Sequence, residues 1–385
     1  MIRKTAPLVL AAFMILALFS PGMARAGDGP RVLDNSVQAE FPYRISFSLS
    51  ADSDADITDI RLCYRVDQTK FAQVSSEVYI DFVPATSVSI DWALEMLKIG
   101  GLPPGSNLEY WWKIEDANGD RISTPPAGIV FDDSRYSWQS LTEGQVTMYW
   151  YQGDQSFAGE LMLAVQQALE RLNEYTAAQL ERPVKLYIYA DAQDLRGSMI
   201  YSQEWTGGVA FTRYGIMAIG IAPDKLDWGR RAIAHELTHL VIHQVTLNPY
   251  NTIPTWLDEG LAMRSEGPLP ESFRSYLDRA IADGSLISVQ SLASPFSAYT
   301  DKASLSYAQS YSLVEFLTDS YGQDKMFDLL NNFQEGSSYD GALIKVYGFD
   351  MDGLDYLWQD WVTRSGQPAA ENDLHLELEK VADGK

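Results

Sequence analysis

The N-terminal third of the chain is dominated by an alternation of polar and apolar residues. The stretches 44–49, 60–66 and 108–114 each alternate in this way, which is the pattern of a half-buried β-strand. Asn118 and Gly119 follow the third stretch and favour a hairpin turn, because both central positions of that turn take positive φ. Short strands between turns rich in proline and glycine predict a small β-sandwich of the immunoglobulin or fibronectin type.

A helical period replaces the alternation after residue 135. Leu161, Val165, Ala168 and Leu172 are spaced four, three and four residues apart, so they share one face of a predicted helix over 156–180. The remaining pattern predicts strands at 183–190 and 216–222 and helices at 230–245, 273–283, 307–321, 326–333 and 354–362. We therefore predict an α+β chain, with the β-sandwich at 27–135 and a second body at 136–366 whose C-terminal half is mainly helical.

The first 26 residues have the pattern of an export signal. Arg3 and Lys4 precede an apolar run at 8–19, and the small residues at 24 and 26 supply a cleavage site. The run is shorter than the roughly 20 residues that span a bilayer, which favours cleavage over the alternative, a retained membrane anchor. We expect a secreted protein that works in the periplasm, outside the cell or at the cell surface, with a polar tail at 367–385.

Composition narrows the choice of partners. The chain has 52 Asp plus Glu against 29 Lys plus Arg, a formal net charge of -23. This balance disfavours nucleic acid and anionic lipid as partners, since both are bound by clustered cations. Cys63 is the one cysteine, which excludes an internal disulfide and a zinc site built from cysteines. Histidine is also scarce, yet three of the four histidines lie within nine residues, at positions 235, 239 and 243.

Two of these histidines belong to the segment His235-Glu-Leu-Thr-His239 in the predicted helix at 230–245. Residues four apart on a helix lie on the same face, so both imidazoles can bind one cation. Imidazole suits zinc, and a catalytic zinc ion keeps one position for water. Glu236 stands beside the first ligand and can take a proton from that water, which predicts it as a general base.

A third ligand must come from another segment. His243 lies one more helical turn along, about 6 Å of rise past the second ligand, which is too far to share the ion. We expect it to be a capping or core residue. Downstream the chain reads Thr255-Trp-Leu-Asp-Glu-Gly-Leu-Ala262, in which Glu259 is twenty residues after His239. A helix that starts near Pro254 would turn Glu259 toward the first helix, and Asp258 is the rival third ligand.

The pairing of these two motifs resembles the gluzincins, and most closely the peptidase MA-like metallohydrolases. The resemblance covers about 140–365 and leaves the predicted sandwich outside. It implies that His235, His239 and Glu259 bind one zinc ion and that Glu236 is the general base. Asp258 would then face outward or form a hydrogen bond with a ligand histidine.

The resemblance also suggests two further parts of a hydrolytic site. The strand at 216–222 looks like the edge strand with which gluzincins pair an extended peptide, although an ordinary core strand is an equal alternative. Gly207 and Gly208 then form a turn before it. Tyr307 is the candidate donor to the oxyanion, and the alternative is that this tyrosine only packs.

Three aspartates at alternate positions, Asp52, Asp54 and Asp56, have the spacing of calcium ligands. The glycine and the closing glutamate of a calcium loop are both missing. We therefore expect a solvated turn between strands.

These observations predict an exported zinc metallopeptidase that hydrolyses peptide bonds and whose partner is a peptide or protein substrate. Two alternatives stay open. One is a cell-surface binding or adhesion protein in which the zinc site is structural or silent. The other is hydrolysis of an amide that is not a peptide.

Overall fold

The computed structural model describes residues 29–70, 72–202 and 207–364. The predicted signal peptide and the polar tail lie outside these ranges. Two β-sheets come first and the C-terminal half is helical, which confirms the α+β prediction. No helix within the described ranges is long and apolar enough to cross a membrane.

The N-terminal strands all belong to one hydrogen-bonded sheet. They are β1 Arg31–Glu40, β2 Arg44–Val66, β3 Ser76–Tyr79, β4 Ala85–Glu95, β5 Ser106–Asp116, β6 Arg121–Ser123 and β7 Ala127–Phe131, with the short helix α1 Met96–Ile99 after β4. Strand β1 and most of β4 flank the first half of the 23-residue strand β2, and β3 and β5 flank its second half. The predicted two-sheet sandwich is not confirmed, because one continuous strand joins both halves.

The turn predicted at 52–56 is wrong, since these residues lie inside β2. The register of β2 shifts between Asp52 and Ile57 against β4, and between Ile57 and Asp59 against β5. Ser53 is buried and its hydroxyl donates to Asp116 at 2.6 Å, while Asp54 and Asp56 are exposed. The aspartates therefore lie at an irregular part of β2, with Asp54 and Asp56 on its solvent-exposed face. The predicted hairpin at Asn118 and Gly119 is present between β5 and β6.

A five-stranded sheet organises the second body. Its strands are β8 Gln139–Glu143, β9 Val146–Trp150, β10 Val184–Tyr189, β11 Gly208–Phe211 and β12 Ile216–Gly220, in the order β11-β12-β10-β9-β8. The strand predicted at 216–222 as a possible edge is β12, which is internal. The edge is β11, where the sequence analysis expects a turn, because two successive glycines weaken the strand pattern.

Helices pack against this sheet and form the C-terminal core. Each helix predicted from the sequence is present. They are α2 Gln155–Thr176, α3 Ala192–Arg196, α4 Leu226–Val245, α5 Thr255–Ser265, α6 Glu271–Asp283, α7 Val289–Leu292, α8 Thr300–Tyr321, α9 Gln323–Gln334, α10 Tyr339–Tyr347 and α11 Met351–Thr363. Leu186 and Ile188 of β10 pack toward α2 and α4, while Tyr187 and Tyr189 on the opposite face join an aromatic cluster. The sheet is thus buried on both faces.

Helix α5 is fixed tightly against α8. A Cβ on Gly260 would lie only 2.4 Å from the carbonyl oxygen of Ser310, so only glycine permits this approach. Trp256, Leu257 and Leu261 of α5 are fully buried in the helical core. This packing holds α5 rigidly beside α4.

Candidate metal centre

Helix α4 presents two different sides to its surroundings. Ile233, Leu237 and Leu240 are buried against the five-stranded sheet. His235 and His239 lie on the side that meets α5, and their ring centroids are 5.0 Å apart. The spacing of four residues thus brings both imidazoles to one point.

Glu259 of α5 faces both histidines. Its Oε2 atom lies 3.3 Å from Nε2 of His235 and 3.7 Å from Nε2 of His239. The same oxygen is buried and has no hydrogen-bond partner. One atom from each of the three residues can be chosen so that all lie within 4.8 Å of one another.

The outer ring nitrogens are held by two other carboxylates. Nδ1 of His235 donates to Oε1 of Glu266 at 2.9 Å, and Nδ1 of His239 donates to Oδ1 of Asp258 at 2.8 Å. Glu266 is itself anchored by Arg231, at 3.0 Å. Each carboxylate fixes a ring and leaves its Nε2 directed toward Glu259, as is typical of metal-binding histidines.

Asp258 also contacts the third histidine of α4. Its Oδ2 atom accepts a hydrogen bond from Nε2 of His243 at 2.9 Å. His239, His243 and Asp258 form a second group with the composition of a cation site. Because hydrogen bonds within the group already engage both oxygens of Asp258, the group at His235, His239 and Glu259 is the better candidate.

Carboxylates dominate the electrostatics of the centre. Burial alone lowers the pKa of His235, but Glu259 and Glu266 outweigh it and raise this pKa to about 10. Burial likewise opposes the charge on His239, and Asp258 raises its pKa to about 9. Although burial favours the neutral acid, His239 and His243 hold the pKa of Asp258 far below its usual range. Without a metal, the two histidines are therefore protonated at neutral pH, and a cation must displace these protons.

Glu236 lies beside the edge strand of the sheet. A Cβ on Gly208, at the start of β11, would be 3.0 Å from Oε1 of Glu236 and 3.2 Å from its Cγ. The glycine thus leaves the space that the Glu236 carboxylate occupies. This contact links the residue after the first histidine to the edge strand β11.

Tyr307 of α8 closes another side of the cluster. Its ring centroid is 6.4 Å from that of His235 and 5.2 Å from that of Phe296, with Phe273 also in contact. Burial raises the pKa of the Tyr307 hydroxyl well above its usual value, and the negative charge of Glu259 adds to this effect. The hydroxyl therefore keeps its proton at neutral pH and can donate a hydrogen bond.

Two features of the centre were not predicted from the sequence. Glu266 follows α5 directly and contacts a histidine 31 positions earlier, which no local pattern reveals. Strand β11 is the second feature. The only signal for it in the sequence is the run of apolar residues after the two glycines. The fold brings Glu236 and Tyr307 into the same region as the three candidate ligands.

The three candidate ligands fit a divalent cation. Oε2 of Glu259 is buried, forms no hydrogen bond and faces Nε2 of both histidines, so a cation between these three atoms would balance its charge. Two imidazoles and one carboxylate form a ligand set typical of catalytic zinc. A cation held by these groups would replace the protons on the histidines.

Residues 164–364 match the family model described as the Peptidase MA superfamily. The match covers more than half of the 385 residues. The chain belongs to the Peptidase MA superfamily. Membership confirms the resemblance drawn from the two motifs. It also supports the prediction that the chain is a metallopeptidase, which is a hydrolase. No curated protein matches the chain in sequence.

Several solved structures are distantly similar to this member of the Peptidase MA superfamily. Yeast LTA4 hydrolase in complex with bestatin is 13% identical, with 93% of this chain and 67% of that one covered and a TM-score of 0.37. An M1 zinc metallopeptidase from Deinococcus radiodurans is 11% identical, with coverages of 89% and 97% and a TM-score of 0.36. Wild-type OgpA from Akkermansia muciniphila is 13% identical, with coverages of 26% and 27% and a TM-score of 0.21. The aligned part thus spans about a quarter of OgpA.

Proposed function

We propose that the protein is an exported zinc-dependent peptidase in which His235, His239 and Glu259 bind one zinc ion and Glu236 is the general base. The observation that carries this proposal is the buried, unpartnered Oε2 atom of Glu259 facing Nε2 of both histidines. Membership in the Peptidase MA superfamily supports the same assignment.

A bound zinc ion would act as a Lewis acid and would lower the pKa of a water molecule toward about 7. Glu236 accepts the proton of the attacking water and then delivers it to the amine that leaves. The carboxylate is suited to this role because it is only partly buried and follows directly on His235. Glu266 and Asp258 hold the two imidazoles in their orientation throughout.

Tyr307 would contribute to the same reaction as a hydrogen-bond donor. Negative charge develops on the carbonyl oxygen in the transition state, and a nearby hydroxyl stabilises it. The raised pKa of Tyr307 keeps that hydroxyl protonated. Its aromatic neighbours Phe273 and Phe296 restrict the ring, which favours a fixed donor over a mobile one.

The substrate would bind as an extended peptide along β11. This strand pairs only with β12 among the described strands, so its other edge has backbone groups to offer. Backbone pairing at a sheet edge places a peptide without selecting its side chains. Because Gly208 starts this edge and adjoins Glu236, the scissile bond would lie at that end.

Metal analysis and one substitution test the proposal. Purified protein should contain close to one equivalent of zinc and should cleave a denatured proteome, and a chelator should abolish the cleavage. Glu236→Gln should keep the zinc and lose the hydrolysis, because it removes only the base. Less than about a tenth of an equivalent of zinc in the wild type would contradict the proposal.

The same variant separates the enzyme from the alternative role as a binding or adhesion protein. If the zinc site is structural or silent, Glu236→Gln will leave the biological activity unchanged. Export is tested independently, by sequencing the N-terminus of the protein recovered from outside the cytoplasm. A start at position 27 is the expected result, and retention of residues 1–26 would contradict it.

A further inference from the structure

A cleft of about 460 Å³ lies at the C-terminal end of α4, outside the metal centre. We call it the distal cleft and define it by Lys70, Arg213, His243, Asn248 and Thr252, which are among its lining residues. The described residues that line it include no aspartate or glutamate. Such a lining is unusual in a chain whose acidic residues outnumber its basic ones by 52 to 29.

The distal cleft contains two cations that have no carboxylate partner within the part of the chain that the structure describes. Lys70 and Arg213 are both exposed, and neither forms an ion pair with any of the described carboxylates. Elsewhere on the molecule, exposed arginines are commonly paired with acids, as Arg61 is with Asp59 and Glu77. The cleft therefore presents positive charge that a ligand can neutralise.

Two elements connect the distal cleft to the metal centre. On α4, His243 lies one turn, about 6 Å of rise, beyond His239. Along the sheet edge, β11 begins with Gly208 at Glu236 and ends at Phe211, and Arg213 follows two residues later. Four residues of extended strand span about 13 Å. A peptide on the edge of β11 thus runs from Glu236 to the cleft.

The N-terminal body supplies one side of this cleft. The backbone amide of Thr69 donates to the carbonyl oxygen of Arg213 at 2.6 Å, and Nε2 of Gln68 donates to the hydroxyl of Tyr214 at 2.7 Å. These bonds fasten the segment after β2 to the end of β11. Lys70 is thereby held beside Arg213 by contacts that do not involve the side chain of either residue.

We propose that the distal cleft is a specificity subsite for an aspartate or glutamate side chain of the substrate, about four residues from the bond that is cleaved. Antiparallel pairing is the commoner arrangement of strands, and it would place this residue on the amino side of the bond. A free amino terminus would be repelled there, so the enzyme would act within chains. This inference rests on the proposed function and adds the substrate class.

The test uses full-length zinc-loaded protein and a library of proteome-derived peptides whose new termini are read. Wild type should enrich Asp and Glu threefold to tenfold, about what two exposed ion pairs contribute, at one position three to six residues before the cut. Lys70→Gln combined with Arg213→Gln should abolish that enrichment and leave the position of zinc-dependent cleavage otherwise unchanged. Lys98→Gln combined with Arg279→Gln removes the same charge outside the cleft and should preserve the enrichment.

A pair of synthetic peptides then isolates the charge. Glutamate and glutamine are compared at the enriched position, and wild type should show a kcat/KM threefold to tenfold higher for glutamate, a difference that 0.5 M NaCl reduces. No acidic enrichment on the amino side, or one that the cleft double variant retains, would overturn the subsite while leaving the peptidase intact. Absence of any cleavage by wild type would overturn both proposals.

Discussion

Oε2 of Glu259 is buried without a hydrogen bond and faces Nε2 of His235 and His239, so its charge is balanced either by protons on these rings or by a cation in their place. The outer ring nitrogens have other partners: Nδ1 of His235 contacts Glu266 and Nδ1 of His239 contacts Asp258. The individual residues therefore divide into those that would bind the cation and those that orient them. This division can be tested one side chain at a time.

Glu266→Gln is expected to weaken zinc binding by about tenfold to a hundredfold, because the amide holds the ring of His235 less firmly and donates less electron density to it. Zinc affinity is measured by competition with a chromophoric chelator. Arg231→Gln is the matched control, since it removes the anchor of Glu266 and keeps its contact with His235. Equal affinity for wild type and Glu266→Gln would show that this carboxylate does not orient the ligand.

Tyr307→Phe is expected to lower kcat by about tenfold to a thousandfold with little change in KM, since the hydroxyl would act on charge that develops only in the transition state. Zinc content should not change. Steady-state kinetics on a peptide substrate gives the two constants separately. Phe296→Leu controls for loss of packing against the same ring, and a larger effect from this variant than from Tyr307→Phe would assign Tyr307 a packing role.

The affinity for zinc should keep rising above neutral pH. The pKa values of His235 and His239 in the metal-free protein are about 10 and about 9, so protons compete with the cation up to those values. Each displaced proton makes the affinity increase about tenfold per pH unit below the pKa. Chelator competition at pH 7, 8 and 9 measures the slope, after correction for the chelator. A plateau from pH 7 upward is the result expected of ordinary histidines and would contradict this prediction.

At the scale of elements, the pairing of α4 with α5 and the free edge of β11 decide what the site can do. Gly208→Ala is expected to reduce kcat by tenfold or more, because the new Cβ would lie 3.0 Å from Oε1 of Glu236 and displace it. Zinc content and unfolding temperature should stay close to wild type. Gly128→Ala in β7, whose Cβ would have no neighbour closer than 4.0 Å, is the matched control. Unchanged kcat in Gly208→Ala would mean that the carboxylate is free to move.

The sequence predicts these elements unequally, for physical reasons. Helix α4 was predictable because apolar residues at helical spacing and paired histidines agree. Strand β11 was not, because Gly207 and Gly208 have the local pattern of a turn and only pairing with β12 makes an extended strand. The long strand β2 was hidden by the aspartates at 52, 54 and 56, whose alternation resembles a solvated turn although Ser53 is buried against Asp116. Contacts between distant segments decided both cases.

At the scale of the whole molecule, the two bodies are joined by polar contacts. Nζ of Lys185 donates to the carbonyl oxygen of Gly105 at 2.7 Å. The hydroxyl of Tyr201 donates to the carbonyl oxygen of Leu97 at 3.1 Å. Together with the bonds at Thr69 and Gln68, they position the N-terminal sheet beside the end of β11. The N-terminal body thus contributes to the wall of the distal cleft.

Removal of zinc should destabilise the whole second body. A cation at a hundredfold excess over its Kd adds about 2.7 kcal/mol to the free energy of unfolding. For a body of about 200 residues this corresponds to a Tm lower by about 5 to 10 °C after chelation. Calorimetry with and without chelator measures the shift. His239→Ala should show no response to the chelator, and a wild-type Tm that chelation leaves unchanged would contradict zinc binding to the folded protein.

The close approach of α5 and α8 at Gly260 has a further consequence for how the centre is assembled. Two of the proposed ligands lie one turn apart on one helix, and the third lies on a helix held by close backbone contact with its neighbour. The conformational entropy of arranging the three donors is therefore lost when the core folds, before any ion arrives. Binding of the proposed metal would then need only a local exchange of protons for a cation, and we expect the protein to lose and regain the ion as a folded molecule.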